Sequence, residues 1–344
     1  MPLKRPALLE PLLSPTACVC SQDERPRVSI HPYAGIRCVA TLLCASGHGV
    51  HDATTAASAY EASRVPSVLA FVTVLHFDFI DVKPKERRNA EMGYMRQIHH
   101  LHNLWDGIRR HMRSAELHVL VSGLRNSTFE DTLTRRQMKL HTWYAPQIPT
   151  WSAAWHRSSF CKLNVWNFSF QRRSIGPVVY LDTDVVVLRS LAALFSVPTP
   201  AIVFKGSSEV LNSGLMVLHV QSQAELDSIW QTFHARVNDV SHEWRCGRMG
   251  HHYMPDGSDQ QLLIHFFATT HMDVHELPAS FNTFAWQLNT WQHDASNLSN
   301  VRLRGWFGDQ HVSHKLLRHD AKDLGARAHP ALAAYRLSIS LVAS

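Results

Sequence analysis

The chain has 344 residues, 45% of them apolar and 18% charged, which excludes a mostly disordered or fibrous protein and leaves ample length to bury a core. Lys and Arg number 34 against 28 Asp and Glu, a formal net charge of +6. So mild and dispersed an excess suits anionic small ligands such as phosphates at least as well as nucleic acid, and no apolar run reaches the length of about 18 residues that a membrane-spanning helix needs.

Residues 1–65 lack hydrophobic periodicity, are rich in Pro, Ser, Ala and Arg, and read as a disordered or targeting-like leader. Of the six cysteines, Cys18, Cys20, Cys38 and Cys44 fall in that stretch. Cys161 and Cys246 remain for the body and read as ordinary thiols rather than a disulfide framework. Sequons at Asn126, Asn167 and Asn297 lean towards the secretory pathway and the Golgi, with the cytoplasm as the alternative.

Regular pattern begins at Val68. The β-branched run 68–75 predicts a strand buried on both faces. Met95, Ile98, Leu101, Trp105, Ile108 and Met112 recur at helical spacing, and His99, His100 and His102 fall off that stripe, where solvation is expected. Residues 117–122 predict a second strand, so strand, helix and strand form a βαβ unit with a parallel sheet. Further strands are expected at 177–184, continuing into 185–188, then at 201–204 and 213–219, with a helical turn at 191–195. Ser222 opens a capping box with Glu225, ahead of a core stripe of Leu226, Ile229, Trp230 and Phe233. Residues 238–258 read as a polar loop or insertion, and 259–269 as a helix. The fold class is α/β, with a mainly parallel central sheet and helices on both faces.

In such a sheet, ligands sit at the carboxyl ends of the strands. Tyr180-Leu-Asp-Thr-Asp184 puts two carboxylates there, and in an extended segment positions i and i+2 point the same way. Asp182 and Asp184 can then share one hard divalent cation, with positions left open for phosphate oxygens. Upstream, residues 159–166 read as a helix that carries Lys162 towards this strand end. Downstream, Asn212-Ser-Gly214 reads as a turn before a strand, and Asp259 and Gln260 open a helix at its positive end.

In their order along residues 68–317, Phe71-Val-Thr73, Lys162-Leu, Tyr180-Leu-Asp-Thr-Asp184, Asn212-Ser-Gly214 and Asp256-Gly-Ser-Asp-Gln260 together resemble glycosyltransferase family 8. These are the glycogenin-like enzymes that move a sugar from a nucleotide donor with retention. The resemblance implies a single Rossmann-like GT-A domain at 66–320, and the remaining residues, 321–344, read from their own pattern as a helical tail. It also implies a hexosyl or pentosyl transfer from a nucleotide-diphosphate sugar, UDP-linked by expectation, to an unknown glycan, protein or lipid acceptor. Asp182 and Asp184 would bind Mn2+ or Mg2+, with His311 as third ligand and His314 as its alternative. Thr73 and Val74 would lie beside the nucleoside, with Thr183 at the donor, while Lys162 would face the donor sugar or phosphates. Asn212, Ser213, Gly214 and Asp256 would contact the sugar, and Asp259 would stand near the anomeric carbon with Gln260 beside it. A homodimer is an expectation, and nucleic acid is not an expected partner.

The chain departs from the family pattern after His311, where Leu317 stands in place of a lysine, and after Leu75, where His76 and Phe77 replace the usual uracil contacts. Rival readings are a non-catalytic sugar-nucleotide or glycan binder on the same fold and an Asp-x-Asp phosphatase with Asp182 as nucleophile. A zinc site at Cys246, His251 and His252 lacks paired cysteine spacing.

Overall fold

The computed structural model describes residues 28–30, 37–40, 42–43, 50–51, 68–77, 84–123, 127–147, 149, 152, 154–187, 190–204, 211–239, 258–277, 281–284 and 300–302. Its strands are β1 (Val28–Ile30), β2 (Arg37–Ala40), β3 (Leu42–Leu43), β4 (Val50–His51), β5 (Leu69–Phe77), β6 (Ala115–Gly123), β7 (Lys139–Thr142), β8 (Val178–Leu181), β9 (Val185–Val187), β10 (Ala201–Val203), β11 (Asn212–Leu218), β12 (Val274–Leu277), β13 (Thr283–Phe284) and β14 (Asn300–Arg302). The α-helices are α1 (Pro84–His111), α2 (Ser127–Arg135), α3 (Asn164–Gln171), α4 (Gln223–Val237) and α5 (Asp259–Thr270), and 3-10 helices cover Ala154–Leu163 and Ala192–Ser196.

Nine strands form one sheet in the order β1-β2-β12-β10-β11-β8-β5-β6-β7. Strand β11 runs antiparallel to both its neighbours and β1 antiparallel to β2, and the remaining pairings are parallel. The expected α/β class with a mainly parallel sheet is therefore the observed one. From β5 the chain steps outward through β6 to β7, then returns to place β8 on the other side of β5. That reversal opens a crevice at the carboxyl ends of β5 and β8.

Alternation along the strands divides the core in two. Phe71, Leu75, Leu117, Val119, Val179, Leu181, Leu215 and Val217 pack with the α1 stripe and with Leu133 of α2. Ala70, Val72, Leu120, Val178, Tyr180, Met216 and Leu218 pack with α3, α4 and α5. Helices thus cover both faces, which explains why these strands read as continuous apolar runs.

Three sequence expectations are corrected. Strands β1 and β2 lie within the stretch read as leader, and β2 pairs in parallel with β12, so the sheet begins before residue 66. Its Cys38 is a free, buried thiol, pushed up to about 12 by burial and by Glu276. The run from 177 to 188 is not one strand: Val185 N donates to Asp182 O at 3.2 Å, closing a turn between β8 and β9. Strand β9 then joins a separate three-stranded sheet with β14 and β13. Finally, His99, His100 and His102 of α1 are half-buried rather than solvated. Asn167, one of the three sequons, is also spent within the fold, donating to Asn164 Oδ1 and accepting from Trp230 Nε1. Half of the expected capping box forms at Ser222, whose Oγ accepts from Glu225 N at 3.1 Å, while Glu225 Oε2 accepts from Gln221 N rather than from Ser222 N. Among the described residues no helix is long and apolar enough to cross a membrane.

Helix α1 approaches β9 closely at Gly107. A Cβ there would lie 3.1 Å from Val187 Cβ and 3.2 Å from Val187 O, tighter than ordinary contact. The Gly107→Ala variant is expected to lose about 1–3 kcal/mol despite alanine's better helix propensity. Urea denaturation checks this, and a stabilised variant would contradict the close packing.

A second expectation concerns pH. His118 Nδ1 lies 2.9 Å from His141 Nε2 and His118 Nε2 lies 3.2 Å from Glu116 Oε2, with both rings against Phe168. Burial, Arg172 and His141 hold His118 down to about 3, and burial and Arg136 push His102 down to about 4, both from an ordinary 6.5. These rings stay neutral in the fold but take up protons on unfolding below about pH 6.5. In that window the unfolded state binds more protons. Their contribution is therefore full above pH 6.5 and is lost as pH falls towards 4 and then 3. The urea midpoint should drop between pH 7.5 and 4.5, less steeply in His118→Phe. An unchanged midpoint would contradict the neutral assignment.

Candidate functional site

Four elements meet at the carboxyl end of β8. Strand β8 is buried on both faces and delivers Tyr180, Leu181 and then Asp182, whose backbone N–H continues the ladder by donating to Gly214 O at 2.9 Å. The 3-10 helix Ala154–Leu163, anchored by buried Phe160 and Leu163, brings Lys162 across from the α3 side. Strand β11 begins with Asn212, Ser213 and Gly214, and α5 begins with Asp259, with buried Ser258 at the N-cap position making no side-chain capping bond.

The side chains converge around one ammonium. Lys162 Nζ lies 3.0 Å from Asp182 Oδ1 and 3.5 Å from Asp259 Oδ2, and it donates to Ser213 Oγ at 3.1 Å. Ser213 Oγ in turn donates to Asp259 Oδ2 at 2.6 Å. Tyr180 OH donates to Asp182 Oδ1 at 2.5 Å, and the Lys162 ammonium stands 5.8 Å from the centre of the Tyr180 ring. Asp182 and Asp259 are 7% and 2% exposed, so these pairings act where charge is poorly hydrated and fix geometry strongly. Asp259 N also donates to Ser159 Oγ at 3.4 Å, tying the start of α5 to the 3-10 helix.

The structure thus gathers Lys162, Asp182, Ser213 and Asp259 and sets Gly214 beside them. Thr183 and Asp184 complete the turn after β8 and are half-buried. The expectation that Asp182 and Asp184 align by strand alternation is corrected, since they occupy a turn rather than an extended segment. Asn212-Ser-Gly214 is likewise not a turn but the start of β11, and the Asn212 side-chain Oδ1 accepts from Gly214 N and Asn282 Nδ2 at 3.0 and 2.5 Å. Gln260 is half-buried, and its Oε1 has no hydrogen-bond partner among the described residues. Val74 is half-buried against the α3 face. Thr73 alternates to the α1 face, away from Lys162, fully buried with no partner for its Oγ1 among the described residues. His76, at the end of β5, places Nδ1 2.8 Å from Ser122 Oγ, which donates to Cys161 Sγ at 3.6 Å. Asp256, His311 and His314 lie outside the described residues, as do Cys246, His251 and His252.

Sequence reasoning missed Tyr180, Ser159 and Asn282. Only Tyr180 carried a readable signal, since position i−2 from Asp182 on a strand shares its face. Among the described residues no three His, Cys, Asp or Glu side chains converge as a metal site. The carboxylates of Asp182 and Asp184, flanking one turn, are still a hard-oxygen donor set of the kind Mn2+ or Mg2+ takes.

No protein-family profile matches the chain, and no curated protein matches it. Solved structures similar to it include the glycosyltransferase GlyE of Streptococcus pneumoniae TIGR4, at 14% identity and TM-score 0.44, covering 69% of this chain and 55% of that one. The galactosyltransferase LgtC in complex with donor and acceptor sugar analogues is similar at 11% identity and TM-score 0.46, covering 69% and 88%. Mouse xyloside xylosyltransferase 1 follows at 12% identity and TM-score 0.39, covering 69% and 98%. The chain therefore spans about half the length of GlyE. Likenesses this distant decide nothing about the site, which is read from its own geometry.

Proposed function

We propose that the chain is a retaining glycosyltransferase that moves a hexosyl or pentosyl group from a UDP-linked sugar to a glycan, protein or lipid acceptor. The observation that carries this reading is the Lys162 ammonium held between Asp182, Ser213 and Asp259 at the carboxyl end of β8, beside the crevice where the strand order reverses. Cleaving a sugar–phosphate bond builds negative charge on the leaving diphosphate and positive character on the sugar. A lysine and a fixed carboxylate side by side answer both.

Asp182 and Asp184 would hold the divalent cation, with His311 as the expected third ligand. Bound there, Mn2+ or Mg2+ supplies Lewis-acid neutralisation of the leaving diphosphate. Lys162 supplies a second positive charge at the same oxygens. Asp259, oriented by the Ser213 hydroxyl and by its own backbone N–H, presents its carboxylate to the sugar, with Gln260 and Asp256 on the hydroxyls. Gln260 Oε1, which has no hydrogen-bond partner among the described residues, suits a hydroxyl donor. Asn212 braces Gly214 N through its side-chain Oδ1 and, with Ser213 and Gly214, would face the sugar. A membrane-enclosed compartment of the secretory pathway is part of the same reading.

The test is nucleotide release by the purified full chain across a panel of nucleotide sugars, with and without Mn2+. Metal-dependent UDP release from one donor is the expected result. Metal-dependent UDP binding with no release from any donor, even with glycan acceptors added, would instead mark a binding protein.

A further inference from the structure

We propose that Tyr180 is a positioning residue that sets the Asp182 carboxylate for the cation, acting through that carboxylate without touching the ligand. This rests on the metal reading of Asp182 and Asp184. Tyr180 is 2% exposed and sits in the core facing α3, α4 and α5, a setting in which a phenol needs a partner for its O–H. It finds Asp182 Oδ1 at 2.5 Å. Its ring meanwhile borders the ammonium of Lys162, 5.8 Å from the centroid. One side chain therefore touches both members of the Lys162–Asp182 pair. The division of labour is clear from the contacts. The Asp182 backbone is fixed by Gly214 O across the ladder, and its carboxylate is held by the Tyr180 hydroxyl on Oδ1 and by Lys162 Nζ, 3.0 Å from Oδ1 and 3.3 Å from Oδ2. Since strand residues two apart share a face, Tyr180 reaches Asp182 without any loop having to close. The Tyr180 bond occupies Oδ1 from the strand side and, together with Lys162, sets which way the carboxylate plane faces and so where its remaining lone pairs point. Donors behind a ligating carboxylate orient it, and their loss typically weakens metal binding by about 10–100-fold.

The test compares the wild-type chain with Tyr180→Phe, which keeps the ring and its contact with Lys162 and removes only the hydroxyl. Free Mn2+ is followed by electron paramagnetic resonance during titration in the presence of UDP, and UDP affinity is measured separately without metal. Tyr180→Phe should bind Mn2+ about tenfold more weakly, with metal-free UDP affinity unchanged. Tyr180→His, which returns a ring N–H, should recover part of the loss. Wild-type Mn2+ affinity in Tyr180→Phe would overturn the role of Tyr180 alone. Parallel loss of metal-free UDP binding, or failure to fold, would show a structural role and overturn it too. Absence of Mn2+ binding by the wild-type chain would instead overturn the metal reading on which the proposal stands.

Discussion

Replacing Asp182 and Asp184 together by alanine is expected to lower metal-dependent nucleotide release by about a thousandfold or more, while the protein remains folded. The magnitude follows from what the two carboxylates are proposed to do. Removing a single preorganised donor from a transition-state charge site already costs about 10²–10³ in rate, and the double change removes the cation as well. The fold should tolerate it because both residues lie in the turn after β8, past the last buried strand residue, Leu181. Removing Asp182 does leave the Tyr180 hydroxyl and the Lys162 ammonium without that carboxylate. Asp259 still pairs with Lys162 at 3.5 Å, so the ammonium keeps a counter-charge. Nucleotide release, read beside circular dichroism, checks both halves of the expectation. Retention of wild-type release would remove the carboxylates from the chemistry.

Lys162→Met should be the more damaging change to stability, at a cost of about 3–5 kcal/mol. It leaves the Asp182 and Asp259 carboxylates, with side chains 10% and 3% exposed, without the ammonium they share. Burying charge without its partner costs more than the pair itself contributes. The same variant removes the positive charge proposed to face the leaving diphosphate, so its rate should fall as well. Adding Asp259→Asn to Lys162→Met relieves one stranded charge and should restore part of the stability, but none of the rate. Thermal unfolding of the single and double variants separates the two effects. Additive destabilisation in the double variant would show that Lys162 and Asp259 are not coupled.

The sheet and its helices were legible because their signals are local. The β-branched run of β5 and the stripe Ile98, Leu101, Trp105, Ile108 of α1 follow from alternation and helical spacing alone, and both are buried as expected. The break at Asp182 was not legible. Val185–Val187 looks like more of the same strand, and only pairing with Asn300–Arg302, over a hundred residues on, draws it into another sheet. Asn212-Ser-Gly214 has turn composition, yet its neighbours β8 and β10 impose a strand, an instance of tertiary pairing overriding local preference. Alternation also places Thr73, one step off Val72 and Val74, on the opposite side of the sheet from them. The cluster of Lys162, Asp182, Ser213 and Asp259 spans positions far apart in sequence. A likeness of short motifs gathered those residues, whereas their distances and the part played by Tyr180 came only from the fold.

The most direct test of the central claim is the affinity of the purified full chain for UDP, measured by titration calorimetry with Mn2+ and again with a chelator. A metal–nucleotide site at Asp182 and Asp184 predicts tight binding with Mn2+, much weaker binding without it, and no metal dependence in Asp182→Ala/Asp184→Ala. Equal affinity with and without Mn2+, or a metal dependence that survives the double substitution, would contradict it.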